Sequence, residues 1–479
     1  MLRAPLFLSL FLAFPAFATL SLSIVPPRTM TDDLRAKWRV IATNRGHAAV
    51  EDFPLLMWTE VSIVDMPEGI CTPEGSGRIN ARCVFDLPAG RSRELTFTTK
   101  YTRRSGLSMG QVLGGPRNDL YENERAVFGR EYRVTSNGDE GPGSLRQAIL
   151  DVNRDCTSSL EPCVIAFDRI MEIGPRTALP AITAPAVLVD GDSRVTIDGS
   201  ATTAGHGLLL EGAFARVTGL TIRRFRGNGI EANGFSSIIR DNDLRENGLR
   251  GVQVNGGESQ VFDNTLIRNL RAGGFFWTSN EVRARRNVVT QNGASGLFFH
   301  KPAVSRIGSF AEDNVISFNA HAGLALSLTA DGSFARNTFH DNLGAPIDVG
   351  LDGDTRETRD GLPTQGGRVG APILTSARFD GTATIITGVL ARRVGTRGAV
   401  LIHESVALYA GARPDTQDEV IAVVTEGPPE LFPNGTFTAR ITRDLRGRWI
   451  HAASVAMHWY NLDDISRAVS ELSTPLPVE

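Results

Sequence analysis

The stretch Asn264-Thr265-Leu266-Ile267-Arg268-Asn269-Leu270-Arg271-Ala272-Gly273 contains a pattern that recurs five times between residues 229 and 346. An Asn is followed, after four residues, by a second Asn, and Gly (Pro346 in the last copy) stands four positions further on. The steps between first Asn residues are 22, 23, 27 and 23. The five pairs are Asn242/Asn247, Asn264/Asn269, Asn287/Asn292, Asn314/Asn319 and Asn337/Asn342. This period, with short β-prone runs between, indicates a solenoid with one coil per repeat.

Apolar residues recur at fixed distances from the first Asn of each pair, and they predict the core of the solenoid. Two positions after it stand Leu244, Leu266, Val289, Ile316 and Phe339, and three positions before it stand Ile239, Val261, Ala284, Ala311 and Phe334. Each large side chain buried in such a column contributes roughly 1.5–3 kcal/mol. We interpret the Asn residues as structural, because Asn tolerates left-handed φ at a bend and bonds neighbouring backbone. A column of Asn can also hydrogen-bond along itself.

One helix is predicted ahead of the solenoid. Leu145, Ala148, Ile149 and Val152 have helical spacing after Pro142-Gly143-Ser144. Ser144 and Gln147, three residues later, predict a capping box in which each side chain bonds the other's backbone amide. We expect this helix to cover the first coil, whose core and strand edge would otherwise be exposed.

The segment before this helix carries a family resemblance. It reads Tyr132-Arg133-Val134-Thr135-Ser136-Asn137-Gly138-Asp139-Glu140-Gly141-Pro142-Gly143-Ser144-Leu145-Arg146-Gln147-Ala148-Ile149 and resembles the entry segment of secreted bacterial right-handed parallel β-helix proteins. The resemblance continues through residues 164–167, 179–182 and 195–199. It implies a pectate-lyase-like architecture over residues 131–360, which lyases, hydrolases, epimerases and non-catalytic adhesins share.

The rest of the chain predicts an all-β protein with two further domains. Residues 19–125 show regular short strands with turn signals, which favour a β-sandwich, and they resemble Ig-like repeat domains of bacterial surface proteins. That resemblance implies a spacer or adhesion module. Residues 105–130, Gly-rich and weakly patterned, are expected to form a linker. Residues 371–479 resemble the β-sandwich that often follows such helices.

Composition and the first residues bear on the compartment. Residues 1–18 have the features of a secretory signal, with Arg3, an apolar stretch and Ala16-Phe17-Ala18, so we expect cleavage near Ala18 and a secreted or cell-surface protein. No segment is long enough to predict a membrane span. A net charge of −3 predicts no nucleic-acid partner.

The four cysteines predict two short-range disulfides in an exported protein. Cys71 and Cys83 share one stretch, and Cys156 and Cys163 share another. A zinc site would need closer Cys spacing with His nearby, and the sequence has neither.

The strand after each Gly corner is predicted to alternate between core and solvent. The inward residues would be Ile230/Ala232, Val252/Val254, Gly274/Phe276, Leu297/Phe299 and Leu324/Leu326. The outward residues would be Glu231, Gln253, Phe275, Phe298 and Ala325, and beside them Asn233, Asn255, Trp277, His300 and Ser327. Aromatic rings beside amides and charges suit the stacking and hydrogen bonding of a sugar. The alternative is that a loop or the N-terminal domain covers these aromatics as ordinary packing.

Three functions stay open at this point. The leading hypothesis is non-catalytic recognition of a polysaccharide or cell-surface partner through the face bearing Phe275, Trp277 and Phe298. The second is a lyase or epimerase acting on uronic-acid polymers, with His300, Lys301 and Arg306 as base and charge stabilisers, because the 27-residue step places a loop there. The third is a structural surface stalk or adhesin.

Carboxylates are candidates both for catalysis and for metal binding. Glu231 and Asp348 are the outward carboxylates of the face, and they lie several coils apart, which argues against a hydrolase's acid/base pair. Asp352, Asp354 and Asp360 resemble calcium-loop chemistry but lack the final Glu of an EF-hand. Calcium there is a hypothesis, and turn formation by Asp-Gly is the alternative.

Overall fold

The computed structural model confirms the predicted all-β class. Among the described residues, α1 (Leu145–Asp155) is the one α-helix. The predicted signal peptide and the acidic segment 352–360 lie outside the residues that the structure describes. The structure describes residues 20–27, 30–44, 48–74, 80–102, 106–115, 120–277, 280–300, 309–327, 332–334, 337–349, 372–390, 400–414, 416–417, 419–426, 436–461, 464–469 and 473–479.

The N-terminal part is a sandwich of two antiparallel sheets over a shared core. Their orders are β1-β2-β7-β4 and β5-β6-β3-β8-β9. The strands are β1 (Leu20–Val25), β2 (Arg35–Asn44), β3 (Val50–Thr59), β4 (Ser62–Asp65), β5 (Cys71–Pro73), β6 (Ala81–Leu87), β7 (Arg91–Lys100), β8 (Gly106–Gly114) and β9 (Leu120–Phe128). The expected linker is therefore wrong: β8 and β9 form a long hairpin of the second sheet. Their glycines weakened the strand pattern, but cross-strand pairing holds these segments extended.

The middle of the chain is a parallel β-helix of short strands that stack in register. Its strands are β10 (Arg130–Val134), β11 (Cys163–Phe167), β12 (Met171–Ile173), β13 (Val187–Asp198), β14 (Leu208–Leu210), β15 (Arg216–Arg223), β16 (Ile230–Ala232), β17 (Ile238–Arg240), β18 (Asp243–Arg245), β19 (Val252–Val254), β20 (Ser259–Phe262), β21 (Thr265–Ile267), β22 (Gly274–Trp277), β23 (Val282–Arg285), β24 (Val288–Thr290), β25 (Leu297–His300), β26 (Ser309–Glu312), β27 (Val315–Ser317), β28 (Leu324–Leu326), β29 (Gly332–Ser333), β30 (Thr338–His340) and β31 (Ile347–Val349), with a 3-10 turn at Gly199–Ala201. A 15-stranded sheet wraps two sides of each coil, and a seven-stranded sheet, β14-β16-β19-β22-β25-β28-β31, forms the third. Both predicted apolar columns are buried, from Ile239 and Leu244 in one coil to Phe334 and Phe339 in the last.

The repeated Asn residues form two hydrogen-bonded columns inside the β-helix, as predicted. Asn287 shows the geometry. Its Nδ2 donates to Val261 O at 2.9 Å and to Asn314 Oδ1 at 2.9 Å. Its Oδ1 accepts from the backbone N of Asn264 at 3.0 Å and from Asn264 Nδ2 at 3.1 Å. Each amide therefore satisfies buried backbone groups and its neighbours one coil away.

Wherever the structure describes the residue directly before a column Asn, that residue is the left-handed one. This corrects the expectation that Asn itself adopts positive φ. In one coil, Asp263 has φ 59° and Arg268 has φ 54°, directly before Asn264 and Asn269. Non-glycine residues adopt this region at a cost of roughly 1–2 kcal/mol. The hydrogen bonds of the following Asn fix the turn and offset that cost.

The C-terminal part is a second sandwich, with sheets β32-β33-β36 and β35-β34-β37-β38, β39 pairing with β37. The strands are β32 (Ile373–Phe379), β33 (Thr384–Val389), β34 (Val400–Gly411), β35 (Glu419–Glu426), β36 (Thr436–Ile441), β37 (Trp449–Asn461), β38 (Asp464–Val469) and β39 (Leu476–Pro477). Tyr409 of β34 is fully buried in the core of the β-helix, not in that of the sandwich. Backbone bonds join Phe339 of the last coil to Gln417, at 3.1 and 2.7 Å. This domain therefore covers the open end of the solenoid.

Helix α1 covers the opposite end, as predicted, with Ile149 and Val152 in the same core. The capping box is half formed. Ser144 Oγ accepts from Gln147 N at 3.2 Å, but the Gln147 side chain donates to Asp151 at 3.0 Å. The reciprocal bond is absent because Ser144 N already donates to Gly141 O at 3.2 Å. The two predicted disulfides, Cys71–Cys83 and Cys156–Cys163, are both confirmed.

Two arginines attach the N-terminal sandwich to the β-helix. Arg240 Nη1 donates to Ile24 O at 3.1 Å, and Arg286 Nη1 donates to Leu22 O at 3.2 Å. Their guanidinium groups lie 4.8 and 5.6 Å from the centre of the Phe262 ring. The carbonyls belong to edge strand β1, so this contact also occupies backbone acceptors that an unpaired edge would expose.

Candidate functional site

The seven-stranded sheet presents one exposed surface, which we call the outer face: the outward side chains of β14, β16, β19, β22, β25, β28 and β31 and the residues that follow each strand. Parallel register places Glu231 beside Gln253, Gln253 beside Phe275, and Phe275 beside Phe298. The predicted inward residues are buried as expected, but three of the predicted outward residues, Phe275, Ala325 and Ser327, are buried as well. The inward side chains of these strands are at most 2% exposed: Ile230, Ala232, Val252, Val254, Phe276, Leu297, Phe299, Leu324 and Leu326.

The first half of the outer face is polar and centres on Glu231. Its Oε2 accepts from Asn228 Nδ2 at 2.8 Å and lies 3.4 Å from His206 Nδ1. His206 Nδ1 also lies 3.1 Å from the backbone N of Asn228, which can only donate. In the neutral imidazole, Nδ1 therefore accepts this backbone bond and the ring proton sits on Nε2.

Three amide side chains extend this polar half along the β-helix axis, and we call Asn233, Gln253 and Asn255 the outer amide ladder. Asn255 Nδ2 donates to Asn233 Oδ1 at 2.7 Å, and Gln253 Nε2 donates to Asn255 Oδ1 at 3.1 Å. Asn233 Nδ2 donates to Glu211 Oε1 at 2.8 Å. These bonds join side chain to side chain in half-buried positions, so ligand hydroxyls can compete for them.

Arg250 joins the polar half to the aromatic half. Its Nη1 donates to Gln253 Oε1 at 2.7 Å, and its guanidinium lies 4.1 Å from the centre of the Phe275 ring. Burial, and then the positive charge of Arg271, lower the pKa of Arg250, with Glu231 acting in the opposite direction. The Arg250 cation thus occupies one side of Phe275, leaving that ring 7% exposed.

The aromatic half consists of Phe275, Trp277, Phe298 and His300. Phe275 and Phe298 pack edge to face with centroids 5.0 Å apart, and Trp277 lies 4.8 Å from His300. Trp277 is 49% exposed. Among the four, Trp277 thus offers the largest accessible aromatic surface, while Phe275 is a buried support for it, at a centroid distance of 6.0 Å.

The structure places the predicted binding residues on this one surface but separates some of the other candidates. Lys301 and Arg306 lie outside the described residues, as do Asp352, Asp354 and Asp360. Glu231 and Asp348 are five strand steps apart in the sheet, a separation of about 24 Å at the usual strand spacing. This distance is far beyond that of a hydrolytic carboxylate pair.

Sequence reasoning missed His206, Asn228 and Arg250. The last two directly precede the corner glycines 229 and 251, where later coils have Ala272, Ser295 and Ala322. In the first coils this column has polar residues, and in later coils it has small ones. That change along the column was a signal of functional residues that the sequence offered. His206 precedes the regular repeat, and nothing in the sequence pattern connects it to Glu231.

Comparison with known proteins agrees with the coil architecture. Residues 206–357 match the family described as the right handed beta helix region, and the middle of this chain is a right-handed parallel β-helix. The chain has no significant sequence match among curated proteins.

Several solved structures are similar to parts of the chain. The Azotobacter vinelandii mannuronan C-5 epimerase AlgE6 A-module is 17% identical over 46% of this chain and 62% of its own, with a TM-score of 0.35. Pectate lyase Pel9A is 16% identical over 46% of this chain and 74% of its own, with a TM-score of 0.32. The CARDB domain of PF1109 from Pyrococcus furiosus is 14% identical over 23% of this chain and 95% of its own, with a TM-score of 0.18.

In the described part of the chain, no helix is long and apolar enough to span a membrane. No cluster of three His, Cys, Asp or Glu side chains suited to a metal ion occurs among those residues either. What the outer face offers chemically is a half-exposed indole next to amide and carboxylate groups.

Proposed function

We propose that this is an exported protein that binds a polysaccharide or a cell-surface glycan through the outer face, without chemically altering it. The observation that carries the proposal is the half-exposed Trp277 beside His300, one strand away from the outer amide ladder. A sugar ring has an apolar C–H face and hydroxyl edges. The indole suits the C–H face, and the amides of Gln253 and Asn255 suit the hydroxyls.

The geometry of the polar half supports binding rather than proton transfer. The Glu231 carboxylate is 16% exposed and accepts a bond from Asn228. A group held this way orients the amides around it. The two disulfides fit an exported protein. Residues 19–125 and 371–479 would then serve as spacer or adhesion modules on either side of the binding face.

The first experiment compares Trp277→Ala with Phe318→Ala on a broad glycan array and then by calorimetry with a glycan that binds. Phe318 is a matched control, because it is 52% exposed and belongs to another side of the same β-helix. We expect Trp277→Ala to weaken binding roughly tenfold, through lost apolar contact, and Phe318→Ala to leave it unchanged. Equal losses in both variants, or no glycan bound by the unaltered protein, would overturn the proposal.

A second measurement tests separately for lyase activity, which would leave an unsaturated product. The protein is incubated with pectin, alginate and glycosaminoglycan panels, and unsaturated product is followed by ultraviolet absorbance. We expect no increase. A steady increase that persists at low enzyme concentration would show that the protein is a lyase, and the region around His300 would then be re-examined as the source of the base.

A further inference from the structure

We propose a second ligand site, for a single neutral sugar ring or a polyol of that size, at the junction of the N-terminal sandwich and the β-helix. A cavity of about 160 Å³ lies there, on a different sheet from the outer face. Met109 of β8 forms one wall, and corners and strands of the β-helix form the other, including Glu258 and Arg283. Clefts between domains are preferred positions for small-molecule sites. The inference goes beyond the proposed function and does not depend on it.

The sandwich wall of this cavity is held in place before any ligand arrives. Met109 N donates to Glu60 Oε2 at 2.9 Å, and Met109 O accepts from Glu60 N at 3.2 Å. The thioether sulfur lies 3.1 Å from Gln111 Nε2, a donor. At the same interface, the bonds from Arg240 and Arg286 to strand β1 fix the two domains relative to each other. A preformed wall reduces the ordering cost of binding.

The β-helix wall supplies hydrogen-bonding groups of both kinds. Glu281 and Arg283 are bonded to each other, and the Arg283 guanidinium lies 5.3 Å from the centre of the Phe310 ring. Glu258 and Ser236 occupy left-handed corners with φ 55° and 59°, and both line the cavity together with Gln260. Carboxylate, amide, guanidinium and hydroxyl groups can receive and donate the bonds of vicinal hydroxyls, while Met109 contributes a soft apolar surface.

Size and charge narrow the ligand class. A cavity of about 150 Å³ accepts benzene, so this one, of about 160 Å³, holds a small polyol whole. A hexopyranose has about twice the heavy atoms of benzene and would bind with part of its ring outside the cavity. Its charged side chains are Glu258, Glu281 and Arg283, a net charge of one negative. That balance disfavours uronic acids and sulfated or phosphorylated sugars, because each would add an unpaired negative charge. A neutral pyranose or polyol satisfies the lining without that penalty.

The test is saturation-transfer NMR followed by titration on the full mature chain. The probes are glucose, galactose, mannose, N-acetylglucosamine and glycerol, with galacturonate as the anionic comparison. We expect at least one neutral probe to bind in the millimolar range and galacturonate to bind at least tenfold more weakly. Glu258→Gln should weaken the neutral probe roughly tenfold, as loss of a charged hydrogen bond does. Glu246→Gln is the matched control, because Glu246 is also a glutamate in a left-handed corner, with φ 57°.

Two further variants keep the outcome decisive. Met109→Ala should weaken the same probe through the other wall, and thermal melts will confirm that each variant remains folded. Trp277→Ala should leave this binding intact, which separates the site from the outer face. The proposal fails if no neutral probe binds at tens of millimolar, if Glu246→Gln costs as much affinity as Glu258→Gln, or if Trp277→Ala alone removes binding.

Discussion

Two amide ladders run along this β-helix, one inside and one outside, and they differ in what their amides bond. Inner residues such as Asn287 are 1% exposed and bond both to the backbone and to Asn side chains in adjacent coils. Outer residues such as Asn255 are half-buried and bond to other side chains. The inner ladder repeats one residue type, whereas the outer ladder gives way after two coils to Phe275 and Trp277.

This difference indicates that the inner ladder supports the fold and that the outer ladder is available for recognition. Inside, every amide group has a fixed partner that nothing else can replace, so the residue identity must repeat with the coil. Outside, water or a ligand hydroxyl can take the place of any neighbour, so the identity is free to change from coil to coil. Chemical variation along the outer face is therefore where we look for function.

The largest effect is expected for a break in the inner ladder. Asn287→Ala removes one amide, so Val261 O and the backbone N of Asn264 lose their bonds to it. The side-chain amides of Asn264 and Asn314 lose one bond each. Since several buried polar groups lose their bonds together, the free energy of unfolding should fall by about 4 kcal/mol. Chemical denaturation followed by circular dichroism measures this. A loss below about 1 kcal/mol would mean that water replaces the amide and that the inner ladder resembles the outer one.

The next effect concerns a buried charge in the first coils, Asp198, which belongs to neither ladder. Burial alone would raise the pKa of Asp198, but hydrogen bonds from Arg224, Ser200 and Arg223 outweigh it and hold the pKa well below the usual range. Because the folded-state pKa is depressed, this stabilisation is present above about pH 4, the unfolded value, and is lost as pH falls further.

Asp198→Asn should therefore cost about 3 kcal/mol at pH 7, and the difference from the unaltered chain should shrink as pH drops from 4 towards 2. Glu172→Gln is the control, because Glu172 bonds the same Arg223 at 3.0 Å but is 58% exposed. It should change stability by less than about 1 kcal/mol. If the unfolding free energies of wild type and Asp198→Asn run parallel across this pH range, the carboxylate is not the group that titrates.

The contrast between the ladders also explains how much the sequence could predict. Repeated Asn, Gly and apolar columns fixed the coil, its register and its core, because one packing solution is used again in every coil. The hairpin β8–β9 was missed, because its strands are held by pairing partners distant in sequence, such as β3. Left-handed corners were missed as well: Asp263 is of a type enriched in this region, but Arg268 is not, so no uniform residue preference marks the corners.

The candidate site was predictable only in part, because some of its contacts depend on residues that are distant in sequence. The predicted register placed Glu231, Gln253, Phe275 and Trp277 on one surface. It did not predict that Phe275 is buried under Arg250. That contact depends on a side chain reaching into the next coil. The cavity beside Met109 joins residues more than 120 positions apart and follows from domain docking, which no local pattern encodes.

The smallest effect on stability is expected at the outer ladder, where the substitution matches the one inside. Asn255→Ala removes bonds to Asn233 and Gln253, but water can replace them, so the free energy of unfolding should change by about 0.5 kcal/mol. Binding of the glycan identified with Trp277 should nevertheless weaken several-fold, because the amide contacts hydroxyls in the complex. Loss of an Asn would then lower stability in the inner ladder and glycan affinity in the outer ladder. If Asn255→Ala instead destabilises the fold as much as Asn287→Ala, the outer ladder is part of the support, and Trp277 must bind its ligand without it.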